Sequence, residues 1–150
     1  MRLVIQRVKN ASVSINNKLY SSINVGLLVL LGIEEEDVEE DLIYLSSKLS
    51  SLRIFSDAEG KMNLDLKQIK GELLIVSQFT LFASTKKGNR PSFIKAARPE
   101  KAIPLYEKFI AECNRLCEIN SKTGVFGADM QISLVNDGPV TLILDSKNKE

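Results

Sequence analysis

The chain has 150 residues, 44% of them hydrophobic and 26% charged, and a formal net charge of +1. One domain and its core fit that length, and the balanced composition excludes disordered and fibrous classes. So small a net charge excludes gripping nucleic acid by overall electrostatics, so any RNA contact must be local.

The amino terminus alternates from Arg2 to Val8, with Leu3, Ile5 and Arg7 on one face. The period is that of a strand, and a signal peptide's continuous apolar segment is missing, so a cytoplasmic protein is expected. Arg7 on an apolar face calls for a partner, unless the strand ends there and the guanidinium reaches solvent. Ser12 to Ile15 and Lys18 to Ile23 flank Asn16-Asn17, a pair suited to the positive φ angles of a tight hairpin. Val25 to Ile33 is apolar on both faces and reads as a central strand. This longest apolar run falls far short of the roughly 20 residues a membrane-spanning helix needs.

From Asp37 the period becomes helical, through Val38, Leu42, Leu45, Leu49 and Leu52, with Asp37 and Glu40 suited to capping. Arg53 to Phe55 is a short strand, Ser56 to Gly60 a turn, and Lys61 to Leu66 alternates again. Glu72 to Phe82 begins as a buried strand and then turns polar at Ser77, Gln78 and Thr80. Such a cluster is either a set of satisfied hydrogen bonds or the floor of a site. Ala83 to Pro99 is a long aperiodic loop with Lys86, Lys87, Arg90, Lys95 and Arg98. It is either a solvated loop or a phosphate contact.

The second helix is expected from about Glu100 or Pro104 to Cys117, with Pro104 favoured near its first position and an apolar stripe of Leu105, Phe109 and Leu116 alongside Tyr106, Ile110 and Cys113. Its Cys113 and Cys117 share a face, where burial as small apolar residues is favoured over a redox or metal pair. Glu118 to Gly127 is a polar connection, and Met130 to Val135 and Val140 to Leu144 are two strands joined through Asn136 to Thr141, NDGPVT. Gly138-Pro139 in that joint loses most of the usual trans preference and one backbone donor, so its carbonyls can be held in an unusual direction. A frayed tail is expected at Lys147 to Glu150. About eight strands and two helices in one domain, residues 1–150, predict an α+β fold with a largely antiparallel sheet.

The chain contains no histidine. A Ser-His-Asp or Cys-His site cannot be assembled from it, nor a histidine-ligated zinc site.

Taken together, Ile5 to Val8 with Ala11 to Ile15, Ser77 to Ala83 (SQFTLFA) and Phe126 to Thr141 (FGADMQISLVNDGPVT) resemble the D-aminoacyl-tRNA deacylases of the bacterial and eukaryotic type. Arg53 to Leu64 and Arg90 to Phe93 also fit, so the resemblance runs the length of the chain. It implies a homodimeric, barrel-like hydrolase of the ester joining a D-amino acid to tRNA, which keeps mischarged tRNA out of protein synthesis. Glycyl-tRNA is a second candidate substrate. It implies that Gly138-Pro139 is cis and enters the partner's active site at the subunit interface, with Arg7 holding it. Catalytic positions carried over are Ser77, Gln78, Phe79 and Thr80, with Phe126, Ala102 and Met130 at an adenosine pocket. Neither a metal nor a cofactor is implied. Without histidine to activate Thr80 as a nucleophile, catalysis assisted by the 2′-OH of the terminal adenosine is preferred. The competing readings are a non-catalytic RNA-binding module using the Lys86 to Arg98 loop, and an ordinary serine or cysteine hydrolase that recruits a lysine such as Lys61.

Overall fold

One long strand, β1 (Arg2–Ile15), runs the length of the sheet. Along one edge it pairs antiparallel with β8 (Gln131–Asp145). Along the other it pairs with β3 (Gly26–Gly32) through its first half and β2 (Lys18–Ile23) through its second. The Asn16-Asn17 turn between β1 and β2 has the positive φ angles expected, 51° and 60°. This is a computed structural model, and it describes residues 1–149.

From β3 the sheet continues in parallel to β6 (Glu72–Ser77) and then to β7 (Lys122–Thr123). The first of these parallel pairs follows from the crossover through α1 (Glu39–Ser50), because a parallel neighbour needs a long return connection. A hydrogen bond from Ser21 Oγ on β2 to the Thr123 carbonyl on β7, at 2.8 Å, nearly closes the sheet on itself. The fold is therefore α+β as expected, but its sheet is mixed rather than antiparallel throughout. A separate two-stranded ribbon pairs β4 (Phe55–Ser56) with β5 (Met62–Leu64).

The unbroken apolar character of Val25 to Ile33 has a direct cause. Leu27, Val29 and Leu31 pack with Leu73 and Ile75 into the core beneath α1 and α2 (Pro99–Cys117). Leu28, Leu74 and Val76 face the opposite way, into the sheet's interior with Val8, Ala11, Val13 and Ile23. β3 and β6 are thus covered on both faces, which is where near-continuous apolar runs belong.

Several boundaries differ from the sequence expectations. Asp37 does not cap α1: it is buried, accepts from the Glu34 amide at 2.8 Å and pairs with the Met1 terminal ammonium. The capping carboxylate is Asp41, which accepts from the Val38 amide at 2.9 Å. α2 starts at Pro99, not Pro104, because Pro99 already supplies the preset φ of a first helical position. Pro104 lies inside the helix, on its exposed side. The strand expected to run to Phe82 ends at Ser77, and Phe79–Phe82 forms a 3₁₀ turn. Gly32 makes that turn fit, since a Cβ there would lie 2.9 Å from Leu81 Cβ and 3.2 Å from the Gln78 carbonyl oxygen.

β8 is one strand through NDGPVT, not two. Val8 pairs with Asn136 and Gln6 with Thr141, so Asp137 to Val140 stand opposite Arg7 alone and are pushed out as a bulge. The tail is tied down at Lys147, whose Nζ donates to Asp41 Oδ2 at 2.9 Å. Glu150, the end of the expected frayed tail, lies outside the described residues.

Candidate active site

Two groups of sequence-predicted residues form two separate features. Ser77, Gln78 and Phe79 border a cavity of about 280 Å³ together with Ala102, Phe126 and Met130. That volume is just below the ~300–1,000 Å³ typical of ligand sites, room for one nucleoside-sized group. Arg7, Gly138 and Pro139 are absent from its lining.

The cavity is positioned by the ends of three elements. Ser77 pairs with Leu31 on β3, and the Gln78 amide donates to the Leu31 carbonyl at 2.8 Å. The chain then turns into the 3₁₀ segment, leaving Phe79 57% exposed at the rim. Among the described residues, the amides of Phe79 and Thr80 have no protein acceptor, as expected at the start of a helical turn. They are available to an external oxygen. Thr80 itself stays off the lining, and its hydroxyl accepts from Gln78 Nε2.

Phe126 forms an apolar wall, and its ring meets Tyr106 edge-on, centroids 5.9 Å apart. Tyr106 was not singled out by the sequence reading. It is buried on α2, and its hydroxyl donates to the Ile75 carbonyl at 2.9 Å, fastening the helix to β6 beneath the cavity. Burial, with a smaller contribution from Tyr20, pushes this phenol up to about 12, so it is a fixed donor rather than an acid for catalysis. The only sequence signal for it was its place in the apolar stripe of α2.

Cys113 and Cys117 are buried in the core, as the bland expectation had it. Burial raises both thiols, Cys113 further through Cys117 and Glu112, which leaves them protonated and weakly nucleophilic. Among the described residues no cluster of three or more Cys, Asp or Glu is placed to hold a metal ion.

The second feature is the bulge. Gly138-Pro139 is cis, Gly138 has a φ of 135°, and both residues are exposed. Arg7, only 8% exposed, braces the bulge from below and has the partners its apolar face called for. Its Nε donates to the Asp137 carbonyl at 3.0 Å, its Nη1 to the Ile54 carbonyl at 2.5 Å, and Nε lies 3.3 Å from Asp137 Oδ2. Asn136 closes the loop from the other side, accepting from the Val140 amide at 2.8 Å and donating to Thr141 Oγ1 at 3.1 Å. Ile132, where β8 borders the cavity, is six residues from Gly138, a span of at most about 20 Å along the strand. An exposed, hydrogen-bonded backbone bulge and a cavity bordered by Ser77 and Gln78 thus occupy different parts of one chain.

Comparison with known proteins gives a consistent result. The model of a family described as D-Tyr-tRNA(Tyr) deacylase matches residues 4–145. A D-aminoacyl-tRNA deacylase of Cytophaga hutchinsonii is 66% identical over 150 residues, covering 100% of both chains. One from Akkermansia muciniphila is 59% identical over the same 150 residues, again covering 100% of both. Among solved structures, one described as c-Myc DNA Unwinding Element Binding Protein has a TM-score of 0.90 at 40% identity, over 97% of this chain and 98% of that one. A probable eukaryotic D-amino acid tRNA deacylase has a TM-score of 0.81 at 17% identity, over 95% and 97%, a likeness of fold.

Proposed function

Because the chain belongs to the D-Tyr-tRNA(Tyr) deacylase family, we propose that it hydrolyses the ester joining a D-amino acid to the 3′ end of tRNA, with the Gly138-Pro139 wedge of one chain selecting chirality in the cavity of a second copy. The observation that carries the proposal is the separation just described: the braced wedge faces outward, and the cavity with the free amides lies elsewhere in the same chain. A second copy resolves that separation. β8 supports one, since among the described residues it pairs only with β1, and it exposes Val135 at 47% and Ile143 at 68% along a 15-residue edge strand. Unprotected edges of this length are normally covered, and a two-fold pairing would carry both wedges outward to both partners.

In this reading the terminal adenosine enters between Phe126, Met130 and Ala102, bringing the ester to Ser77 and Gln78. Water attacks the carbonyl carbon, the Phe79 and Thr80 amides donate to the developing oxyanion, and the bond to the ribose oxygen breaks as that oxygen takes up a proton. The neighbouring 2′-OH of the substrate positions the water, in keeping with a chain that has no histidine. Wedge carbonyls hold the α-ammonium and leave no volume for an L side chain. Glycine, lacking a side chain, passes the same test, which makes glycyl-tRNA a second substrate.

Release of D-tyrosine and L-tyrosine from matched charged tRNAs tests this directly. Fast release of the D enantiomer alone is expected; equal rates, or none on either, would overturn it. A nucleic-acid-binding module without catalysis is favoured by the basic loop and by the likeness to the c-Myc DNA Unwinding Element Binding Protein, but it leaves the cavity without a task; absence of release on both substrates is its signature.

A further inference from the structure

The Ala83 to Pro99 segment is not used by this chemistry, yet its shape and charge are distinctive. Between those residues there are five cationic side chains and no Asp or Glu, in a chain whose net charge is only +1. The rest of the surface is therefore net negative and repels a polyanion. Lys86, Lys87, Arg90 and Arg98 are exposed, and among the described residues none of them has an ion-pair or hydrogen-bond partner for its side chain. Lys95 differs, since it borders Glu34, Glu35 and Glu36.

The segment is also ordered and anchored at the cavity. Ser84 and Ser92 exchange backbone hydrogen bonds at 2.8 and 2.9 Å, which makes residues 84–92 a small hairpin-like finger. Just beyond its base, Phe93 meets Phe79 on the rim edge-on, centroids 5.1 Å apart. The returning limb docks through the Ala97 amide to the Ile33 carbonyl at 2.9 Å, and Ala97 borders the cavity itself. The tip that carries Lys86, Lys87 and Arg90 therefore projects on the order of 10 Å from its anchored base, about three extended residues, beside the entrance.

We propose that the finger formed by residues 84–92 is a phosphate clamp, in which Lys86, Lys87 and Arg90 grip the sugar-phosphate backbone of the acceptor arm just before the adenosine that enters the cavity. This rests on the proposed deacylase reading, because it places the RNA's 3′ end in the cavity. Lysines and one arginine on a narrow tip neutralise phosphates without reading base edges, so the clamp supplies affinity and approach rate rather than sequence choice. Net negative charge on the rest of the chain favours approach to this local cationic patch.

The test compares wild type with the Lys86→Ala/Lys87→Ala/Arg90→Ala variant on D-tyrosyl-tRNA and on 3′-O-D-tyrosyladenosine, which lacks the phosphates. On the tRNA, KM is expected to rise by roughly 10-fold or more with kcat nearly unchanged, and the salt dependence of log KM to weaken by about 2 to 3. On the adenosine ester, wild type and variant should coincide. Unchanged kinetics on tRNA would overturn the clamp, and so would equal losses on both substrates, which would mean that the finger only shapes the cavity. If wild type cleaves neither substrate, the deacylase reading fails by itself. Anisotropy with uncharged tRNA then decides the clamp separately: weaker binding by the variant supports it, and equal binding rejects it.

Discussion

Replacing Arg7 by methionine removes the brace under the wedge while keeping most of the side chain's apolar stem. The residue is 8% exposed, and its guanidinium makes charged hydrogen bonds to the Asp137 and Ile54 carbonyls. Net contributions of such bonds are about 1.5–3 kcal/mol each. The Asp137 side chain is 38% exposed and regains water, so the ion pair adds little and the total loss should be about 3–6 kcal/mol. A domain near the middle of the usual range of about 5–15 kcal/mol remains folded, with a Tm lower by roughly 6–24 °C. Activity should suffer more than stability. Asp137 to Val140 oppose no β1 residue except Arg7, so losing it lets the wedge drift, and a misplacement of about 1 Å can cost roughly 100-fold. Urea unfolding and parallel D- and L-tyrosyl-tRNA assays read both quantities. An Arg7→Met variant with wild-type stability, rate and D/L ratio would refute the brace and the wedge together.

Three further outcomes follow from the same structure. Gly32→Ala forces a Cβ to within 2.9 Å of Leu81 Cβ, so the 3₁₀ turn must shift; about 1–3 kcal/mol of stability and most of kcat should be lost, and an unaffected kcat would separate the turn from catalysis. Thr80→Ala should form no acyl-enzyme and keep most of its deacylation; loss of all activity with normal folding would restore the hydroxyl as nucleophile. Burial alone would raise the Asp41 carboxyl, but Lys147, the Val38 amide and Ser146 outweigh it and lower it from 3.8 to about 2. Because the folded value is the lower one, its stabilisation is complete above about pH 4 and disappears as pH falls through about 2. Asp41→Asn should remove about 2 kcal/mol of that acid-dependent stability, measured as a flatter stability profile between those values.

The sequence was most informative where local chemistry decides. The alternation of Leu3, Ile5 and Arg7 placed an arginine among buried residues, and that arginine has the partners such a position demands. Asn16-Asn17 named its turn, and of the polar break at Ser77, Gln78 and Thr80 the first two border the cavity while Thr80 stays off it. What stayed hidden depends on residues distant in the chain. The continuity of β8 through NDGPVT exists because the bulge lets both halves stay paired with the uninterrupted β1, a register no single-strand period reports. The start of α2 was displaced by the visibility of Pro104, although Pro99 had the same preset φ. β7 has only 2 residues and is recognisable by its parallel pairing with β6, not by its own pattern. The tasks of Gly32, Asp37 and Tyr106 likewise appear only once a turn, a terminus and a helix are brought against them.

The central claim, that the wedge of one chain works in the cavity of another, is tested most directly by mixing two inactive variants. Gly138→Ala places a Cβ 2.8 Å from Val140 Cγ2 and 3.0 Å from Arg7 Nη2 at a φ unsuited to alanine, disabling the wedge. Ala102→Phe fills the cavity. After co-refolding, about half the dimers pair unlike chains, each with one intact wedge facing one intact cavity, so D-tyrosyl-tRNA hydrolysis should recover to about a quarter of the wild-type rate per chain. Recovery no greater than the sum of the two variants alone, with mixed dimers demonstrably formed, would contradict it.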